Sequence, residues 1–294
     1  MKHILFRYTR TAIVCALMGA TALSCGSIVD ARSQEAPPGQ AHARLIPLQG
    51  GRNFRDLGGY RTADGRHVKW NSLFRSGSMH GLTDADYESL ERRGIRVVCD
   101  FRDMHERASE PVRWPVANAP RLLSDDYVLD QRGFLPAGEM KTWTEASARA
   151  AMMASYPRML RQFHDQYRRM FAELLAGHAP LAFNCSAGKD RTGIAAALLL
   201  TALGVPRQSV IHDYLLTNTY LDAAKVLASP SAAKSPMALL PPGVTSAIMK
   251  ADRRYIEAAL AVLDHHEGGS GGWLRDEMGL SRANIGALRA AYLE

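Results

Sequence analysis

The chain has 294 residues, of which 47% are hydrophobic and 22% are charged, with a formal net charge of +7. This is the composition of an ordinary globular protein. The chain has no long block of Lys and Arg and no basic run interleaved with aromatic residues, so we expect no nucleic-acid partner. The modest positive charge is compatible with an anionic substrate or with peripheral contact to a membrane surface.

The first 31 residues have the pattern of a secretory signal peptide. MKHILFRYTR carries three cationic side chains, and the apolar run TAIVCALMGATALS that follows is too short to span a bilayer. Small residues precede a cleavage site after Ala31, and cleavage there would lower the net charge to +5. We therefore expect a secreted or periplasmic protein. The alternative is a weak lipobox in ALSC, which would leave Cys25 as a lipid-anchored N terminus.

The mature chain would keep two of the four cysteines, Cys99 and Cys185. Two cysteines do not make a disulfide framework, and the sequence contains no C-x-x-C motif. Residues 32–44 are polar and contain prolines, which predicts a disordered leader. Residues 45–294 are predicted to form a single domain.

The first part of this domain is predicted to contain short strands, a helix and a long loop. The turn sequences LGGY and ADGR indicate short strands and a hairpin before residue 77. Thr83 and Asp86 form a variant of the capping box and predict a helix that stops at Gly94. IRVVCDF predicts a buried strand. Residues 103–145 lack periodicity and predict a long loop, of the kind that often forms a lid or a binding segment.

The second part is predicted to be mostly helical. Two helices broken near Tyr156 and Pro157 are expected between residues 146 and 177, followed by a strand in PLAFN and an apolar helix in DRTGIAAALLLTALG. RQSVIHDYLLTNTYL predicts an amphipathic helix and SPSAAKSPMALLPPG a surface linker. Two last helices, about 244–266 and 281–293, are separated by EGGSGG. Alternating strands and helices predict an α/β fold on a mostly parallel sheet.

The stretch CSAGKDR, residues 185–191, joins the strand PLAFN to the apolar helix. Ligands of open α/β sheets bind outside the carboxyl ends of the strands, and a helix N terminus attracts anions. A loop that curls once over this C-x5-R spacing can point its backbone N–H groups at a phosphate. We therefore predict that phosphate is bound by Ser186, Ala187, Gly188, Lys189, Asp190 and Arg191.

The residue types in this loop predict phosphoryl transfer to a thiol. The planar guanidinium of Arg191 can hold two phosphate oxygens. The same positive field lowers the pKa of the Cys185 thiol and makes a nucleophile that can form a phosphocysteine intermediate. Thr192 is predicted to donate a hydrogen bond to the sulfur and to improve it as a leaving group. The nucleotide-binding pattern G-x-x-x-x-G-K-[ST] does not fit, because Phe183 replaces its first glycine.

CSAGKDRTG resembles the active-site loop of cysteine-dependent tyrosine phosphatases, and within them the bacterial tyrosine/serine or atypical dual-specificity branch, some of whose members act on phosphoinositides. NFRDLGGY, LFRSG, VVCDFRDMHERASEP, DYLLTN and GGWLRDEMGLSRANIGALRAAYL are similar to further elements of that family, so the resemblance spans about residues 45–293. Relatives usually have His where this chain has Asn184, and that His orders the loop and tunes the thiol.

The resemblance implies a cysteine-phosphatase-like fold. This fold has a central, mostly parallel sheet of four to five strands flanked by helices, an N-terminal β-hairpin element and a helical lid or insertion. It also implies hydrolysis of phosphotyrosine monoesters, with phosphoserine and phosphothreonine as further candidates, and without a metal or another cofactor. The expected partner is a phosphorylated protein or a phosphoinositide.

Protonation of the leaving group needs a carboxylic acid within reach of the ester oxygen. Asp100 ends the strand IRVVCD and matches the Asp of the family's Asp-x-Arg segment, so it is the first candidate. Its alternative role is a structural ion pair with Arg102 or Arg55. Asp190 is the second candidate, either as the acid or as a group that orients Arg191 or the attacking water.

Asp125 or Asp126, in the long loop, is a third possibility for the acid. Lys189 is interpreted as a second cation at the rim of the pocket, suited to multiply phosphorylated head groups, with a solvated lysine as the alternative. Cys99 is hypothesised to form a reversible protective disulfide with Cys185, with an inert buried thiol as the alternative.

Other functions fit the sequence less well. His212-Asp213 and the pair His265-His266 lack a completing ligand pattern, so solvated or capping roles are favoured over a metal site. A phosphoinositide phosphatase is the main alternative to a phosphotyrosine phosphatase. A non-catalytic phosphate-binding module would require that Cys185 be dispensable. A sulfurtransferase or arsenate-reductase loop would lack the Lys-Asp-Arg-Thr-Gly continuation.

Overall fold

The structure is a computed structural model, and it describes residues 42–115, 117, 119–228 and 239–294. The predicted signal peptide, most of the predicted leader and most of the predicted surface linker lie outside the described residues. Among the helices of the described part, none has the length and apolar character needed to cross a membrane.

The last residue of the predicted leader, Arg44, belongs to the folded body. Its guanidinium donates to the carbonyl of Asp56 at 2.7 Å and stacks on the ring of Tyr60, 3.8 Å from the ring centroid. A hydrogen bond and a cation–π contact thus join Arg44 to the folded body, and the predicted disorder of the leader stays a prediction.

A five-stranded sheet lies at the centre of the described part. Its strands are β1 (Arg55–Asp56), β2 (Leu73–Ser76), β3 (Val97–Asp100), β4 (Arg121–Ser124) and β5 (Leu181–Asn184). The spatial order is β1-β2-β5-β3-β4, with β1 antiparallel to β2 and the other neighbours parallel. The prediction of an α/β fold on a mostly parallel sheet is confirmed, and the four parallel strands end at one edge.

Side chains of the strands alternate between two apolar layers, as the period of a strand requires. One layer is large and includes Leu73, Val97, Cys99, Leu181 and Phe183. The other is smaller and includes Phe74, Val98 and Ala182, with Ile46 and Phe54 from the N-terminal segment. The sheet is thus covered by an apolar layer on each face.

The helices of the described part follow in chain order. They are α1 (Asp84–Glu91), α2 (Met104–Ser109), α3 (Glu145–Gln162), α4 (His164–Leu175), α5 (Asp190–Leu203), α6 (Arg207–Leu215), α7 (Thr217–Tyr220), α8 (Ala223–Leu227), α9 (Pro242–Met249), α10 (Arg253–His265), α11 (Gly269–Asp276) and α12 (Arg282–Tyr292). The capping box of α1 forms as predicted between Thr83 and Asp86. Helix α5 ends as predicted at Gly204, whose φ of 88° suits glycine.

The prediction of a structureless loop over residues 103–145 is wrong. This region contains α2, β4 at the edge of the sheet and two short 3₁₀ helices, 131–134 and 140–142. Asp103 and Glu106 form a capping box that starts α2, with each carboxylate accepting the other's backbone N–H, at 2.7 and 2.8 Å. That Asp-x-x-Glu spacing was visible in the sequence and predicts a helix start.

Four other predicted boundaries differ from the structure. The single helix predicted over about 244–266 is divided into α9 and α10, with Asp252 capping the start of α10. Pro157 lies inside a continuous α3, and the break falls at Phe163. A proline removes one helical hydrogen bond, but the packing of α3 against α9 and α10 holds the helix together across it. The amphipathic segment after Gly204 is divided into α6 and α7, and the sequence GSGG begins helix α11 instead of forming a linker.

Candidate active site

The loop 185–190 leaves the end of β5 and enters α5, as the sequence predicts. Its backbone is seated on the segment that follows β2, since Ser78 N donates to the carbonyl of Ser186 at 2.9 Å. Gly188 has a φ of +68°, and a Cβ there would lie 2.5 Å from the backbone N of Gly77. Only glycine fits this position, because both the dihedral angle and the contact exclude a side chain.

A buried charge network supports the loop from below. Arg75 donates to the carbonyl of Gly188 at 2.7 Å and pairs with Asp213, which also accepts from Nε of Arg55 at 3.1 Å. Asn53 Nδ2 donates to the same Gly188 carbonyl at 3.0 Å. Burial opposes the ionisation of Asp213, but the two guanidinium groups outweigh it and hold the pKa of Asp213 below its usual range. The network fixes the backbone of the loop from the α6 side.

This network also shows the partners of Arg55 and Asp213, which could not be assigned from the sequence. Arg55 pairs with Asp213 of α6 and makes no ion pair with Asp100, so one of the two alternatives for Asp100 is removed. Asp213, which stands in the His212-Asp213 pair, is committed to two arginines. Within the described residues, no group of three or more His, Cys, Asp or Glu side chains is arranged to hold a metal ion.

Arg191, at the end of the loop, is held by the carboxylate of Glu106. Nη1 and Nη2 donate to the two oxygens of Glu106, each at 2.7 Å, in a bidentate pair. Nη1 also contacts the carbonyl of Phe101 at 2.9 Å and the hydroxyl of Tyr127 at 2.8 Å. Glu106 further accepts a hydrogen bond from the hydroxyl of Ser186. Helix α2 therefore connects both ends of the loop.

The charge of Glu106 follows from these contacts. Burial disfavours its ionised form, but the charge and hydrogen bonds of Arg191 outweigh burial and lower the pKa of Glu106 to about 2. Burial also acts against the charge of Arg191, yet Glu106 raises the pKa of Arg191 well above its usual value. The pair is ionised over the whole physiological range. Glu106 lies in the segment VVCDFRDMHERASEP, which resembles a family element, but no role was predicted for it from the sequence.

Asp100 is buried, with 3% of its surface exposed, at the edge where the strands end. Its carboxylate accepts hydrogen bonds from Nε and Nη2 of Arg102, at 2.9 and 2.7 Å, and from Nδ2 of Asn184 at 3.0 Å. Arg102 continues to the hydroxyl of Ser78 at 3.1 Å. The contacts of Asp100 are those of the structural ion pair that the sequence gave as its alternative role.

Asp190 is the first residue of α5, and its side chain is 25% exposed. Its Oδ1 accepts a hydrogen bond from the hydroxyl of Tyr156, of α3, at 2.6 Å. The ammonium of Lys189 lies 3.3 Å from the same oxygen. Asp190 is more exposed than Asp100. Among the described residues it has no arginine that contacts it through two nitrogens, as Arg102 contacts Asp100.

The remaining candidates for the acid are paired at the surface. Asp125 accepts from Arg169 at 2.6 Å, and Asp126 accepts from Arg107 at the same distance. The side chain of Asp126 is 81% exposed. Neither carboxylate is joined by a hydrogen bond to the loop 185–191 in the described part of the chain.

Lys189 does not lie at a rim. Only 2% of its surface is exposed, and its ammonium donates to the carbonyls of Ile248 and Lys250, at the end of helix α9. It also lies 5.7 Å from the ring centroid of Tyr255. The interpretation as a second cation at the rim of the pocket, and the alternative of a solvated lysine, both disagree with this position, because the C-terminal carbonyls of α9 hold the ammonium in the interior.

Two further loop neighbours are buried. The hydroxyl of Thr192 donates to the carbonyl of Ser76 at 3.4 Å. Its predicted hydrogen bond to the sulfur of Cys185 stays a prediction. Asn184, which stands in the place of the usual His, donates to Asp100, while its Oδ1 has no partner within the described residues. Asn184 therefore helps to hold the ion pair of Asp100 and Arg102 beside the loop.

Cys185 and Cys99 are both buried and both free thiols. The strand register places Cys99 opposite Phe183, two residues before Cys185. With strand spacing and rise per residue as usual, the two Cα atoms lie about 8 Å apart, whereas a disulfide requires roughly 4.4–6.8 Å. The hypothesis of a protective disulfide is therefore not supported in this conformation. Burial raises the pKa of Cys99 to about 12.

A thiol and a carboxylate-held arginine thus stand at the two ends of one loop, between a parallel strand and a helix. This arrangement defines the class of cysteine-dependent phosphatases. The sequence model of the tyrosine phosphatase family matches residues 46–294, and the chain belongs to that family. It is a protein phosphatase, a phosphoric monoester hydrolase of the tyrosine-phosphatase type, as the loop sequence predicts.

Several known proteins are similar to this chain. A protein of Cupriavidus necator, named as a candidate tyrosine-protein phosphatase, is 32% identical over 248 residues, which cover 82% of this chain and 85% of that protein. The triple specificity protein phosphatase PtpB of Mycobacterium tuberculosis is 29% identical over 275 residues, covering 84% and 98%. The crystal structure of the human tyrosine phosphatase-like serine/threonine/tyrosine-interacting protein matches with a TM-score of 0.31 and 10% identity, covering 60% of this chain and 87% of that one.

Proposed function

We propose that the protein hydrolyses phosphotyrosine monoesters through a phosphocysteine intermediate. The observation that supports this proposal is the bidentate pair between Glu106 and Arg191 at the end of the loop that begins with Cys185. The pair fixes the guanidinium beside the loop, where it can hold two oxygens of a phosphate. Cys185 Sγ attacks phosphorus, and the bond from phosphorus to the ester oxygen breaks.

The leaving oxygen needs a proton, and we assign its donation to Asp190. Asp100 is 3% exposed and saturated by Arg102, so a substrate oxygen has no approach to it without breaking a buried ion pair. The side chain of Asp190 is 25% exposed and belongs to the loop itself. In the second step a water attacks phosphorus, the P–S bond breaks, and Asp190 takes the proton of that water.

The substrate class follows from the site and from the named relatives. The relative PtpB is named a triple specificity phosphatase, which supports phosphoserine and phosphothreonine as further substrates. The expectation of phosphoinositide activity came from the family resemblance and from Lys189 as a second cation at the pocket rim, but the ammonium of Lys189 is bound to the carbonyls of Ile248 and Lys250. We therefore propose a phosphorylated protein as the substrate and treat phosphoinositide turnover as an outcome of the test.

The experiment is a panel of phosphotyrosine, phosphoserine and phosphoinositide substrates, run with a chelator. We expect the wild type to prefer phosphotyrosine and to keep its activity with the chelator. Cys185→Ser should lose all measurable activity. Cys99→Ser, the same substitution at the other buried thiol, is the matched control and should retain it. Activity that persists in Cys185→Ser, or that requires a metal, contradicts the proposal.

The acid is tested with a pair of variants and two aryl phosphates. Asp190→Asn should slow turnover of phosphotyrosine, whose phenol is a poor leaving group, far more than turnover of p-nitrophenyl phosphate. Asp100→Asn should lower the melting temperature and affect both substrates equally, because it breaks a buried pair with Arg102. The reverse pattern would assign the acid to Asp100.

We also propose that the protein is exported, on the strength of the signal-like first 31 residues. Mass spectrometry of the protein recovered from a bacterial periplasm should give a mature chain that begins at Arg32. A lipid-modified chain beginning at Cys25 is the alternative outcome. Recovery of the uncleaved chain in the cytoplasm contradicts export.

A further inference from the structure

Two buried tyrosine hydroxyls form a chain that ends on Asp190. The hydroxyl of Tyr156, in α3, lies 2.6 Å from Oδ1 of Asp190. The hydroxyl of Tyr214, in α6, lies 2.5 Å from the hydroxyl of Tyr156. The two rings meet edge to face, with centroids 6.0 Å apart and planes at 90°. Two helices that are not neighbours in sequence thus converge on one carboxylate of the loop.

The direction of this hydrogen-bond chain follows from the number of protons. A hydroxyl has one proton, and Tyr156 donates its own to Asp190. Tyr214 must then donate to the oxygen of Tyr156. Burial raises the pKa of both tyrosines well above the usual value, so both remain neutral donors over the working range of the enzyme. Successive donors of this kind strengthen one another.

The fold makes room for the chain. A Cβ at Gly193, in the first turn of α5, would lie 2.9 Å from Cδ2 of Tyr214. Glycine at this position therefore lets the ring of Tyr214 approach the helix that carries Asp190. Oδ1 receives both Tyr156 and the ammonium of Lys189, and the hydrogen bonds to this carboxylate from the described residues all end on that oxygen. Oδ2 accepts no hydrogen bond from the described residues.

Two other tyrosines near Asp190 donate their hydroxyls to backbone carbonyls and not to its carboxylate. The ring of Tyr255, in α10, packs 5.7 Å from the ring of Tyr156, but its hydroxyl donates to the carbonyl of Ala247 at 2.9 Å. Tyr167, in α4, donates to the carbonyl of Arg191 at 3.1 Å. Among the described residues, the side chains that contact the Asp190 carboxylate directly are therefore Lys189 and Tyr156, and Tyr214 reaches it only through the hydroxyl of Tyr156.

We propose that Tyr156 is a positioning residue that orients the Asp190 carboxyl toward the leaving group, and that Tyr214 holds Tyr156 in place. This inference rests on the proposed role of Asp190 in the phosphatase reaction. A donor fixed on Oδ1 limits rotation of the carboxyl and directs Oδ2 toward the ester oxygen. Its loss should therefore slow only the reactions that need a proton from Asp190.

The test is Tyr156→Phe, assayed with phosphotyrosine and with p-nitrophenyl phosphate. We expect kcat for phosphotyrosine to fall about tenfold, the loss associated with one hydrogen bond to a charged group, with KM unchanged. For p-nitrophenyl phosphate, kcat should fall less than about twofold, because its phenolate leaves without a full proton transfer. The basic limb of the pH profile for phosphotyrosine should move to higher pH, because the variant lacks a donor that favours the ionised form of the carboxyl.

Tyr255→Phe is the matched control. It removes a hydroxyl from the same ring cluster but not from the chain, so the ratio of the two substrates and the pH profile should stay at wild-type values. Tyr214→Phe should change both in the direction of Tyr156→Phe, to a smaller extent. It also serves as the test if Tyr156→Phe melts too low to assay.

The outcomes separate this inference from the proposed function. If Cys185→Ser is inactive while Tyr156→Phe and Tyr214→Phe slow both substrates equally, the phosphatase mechanism stands and the positioning role is overturned. The same holds if both tyrosine variants match wild type. If Cys185→Ser remains active, the proposed function itself fails, whatever the tyrosine variants do.

Discussion

The carboxylate of Glu106 and the guanidinium of Arg191 face each other in a two-point contact, with both N···O distances at 2.7 Å. Glu106 comes from the short helix that follows β3, whereas Arg191 follows β5, the neighbouring strand. The contact therefore depends on the order of strands in the sheet. It sets the orientation of the guanidinium before any substrate arrives, and a pre-oriented donor costs less on binding.

Glu106→Gln should weaken substrate binding. The amide keeps the shape of the side chain but loses the charge and one acceptor, so Arg191 is no longer held at both nitrogens. We expect kcat/KM for phosphotyrosine to fall about 10- to 100-fold, mostly through KM. Steady-state kinetics measure this. Glu88→Gln, on the exposed face of α1, is the control and should be unchanged. A fall in kcat at constant KM would contradict this role.

The same pair makes stability depend on acid pH. The folded-state pKa of Glu106, about 2, lies below its ordinary value of 4.5. The depressed pKa stabilises the fold fully above the ordinary value, and this contribution is lost as the pH falls from 4.5 through about 2. It amounts to no more than about 3 kcal/mol. The difference in unfolding free energy between wild type and Glu106→Gln should shrink over this window, as urea titrations at several pH values would show. A constant difference would refute the linkage.

Much of this site could be predicted from local sequence, but its supporting contacts could not. The strand β5, the loop and the helix α5 have short-range signals: an apolar run, a glycine at a tight turn and a helical pattern that ends at Gly204. Glu106 had a signal too, since its Asp-x-x-Glu spacing with Asp103 is typical of a helix start.

Tyr156 and Asp213 had no local signal, because α3 and α6 meet the loop only through the packing of the whole domain. The position of Lys189 was predicted wrongly for the same reason. The sequence of the loop shows a cation, but its direction depends on the carbonyls of Ile248 and Lys250 at the distant end of α9.

Gly188→Ala should damage the loop. The new Cβ would lie 2.5 Å from backbone atoms of Ser76 and Gly77, at a φ of +68° that side chains rarely adopt. We expect a destabilisation of about 1–3 kcal/mol and a large loss of phosphate binding, measured by denaturation and by inhibition with inorganic phosphate. Gly286→Ala is the matched control. It lies in α12 with open space around it and should be neutral or slightly stabilising. Equal behaviour of the two variants would contradict the argument.

Asp213→Asn should destabilise the whole domain. Removing the charge leaves Arg55 and Arg75 buried without a counter-ion, and loss of one partner in a buried ionic network costs about 3–5 kcal/mol. Asp264→Asn is the control, since its ion pair with Arg207 is at the surface and should contribute less than about 1 kcal/mol. Chemical denaturation measures both values. A loss in Asp213→Asn no larger than in the control would show that the network contributes little.

Cys99 should not protect Cys185 from oxidation. The two thiols are free, and the strand register separates their Cα atoms by more than a disulfide spans. Burial also raises the pKa of Cys99 to about 12, so almost none of it is present as the reactive thiolate. Peroxide should therefore inactivate wild type and Cys99→Ser at the same rate, and a thiol reductant should restore both equally. Mass spectrometry of the oxidised protein should show Cys99 as a free thiol, and a peptide crosslink between the two cysteines would contradict this prediction.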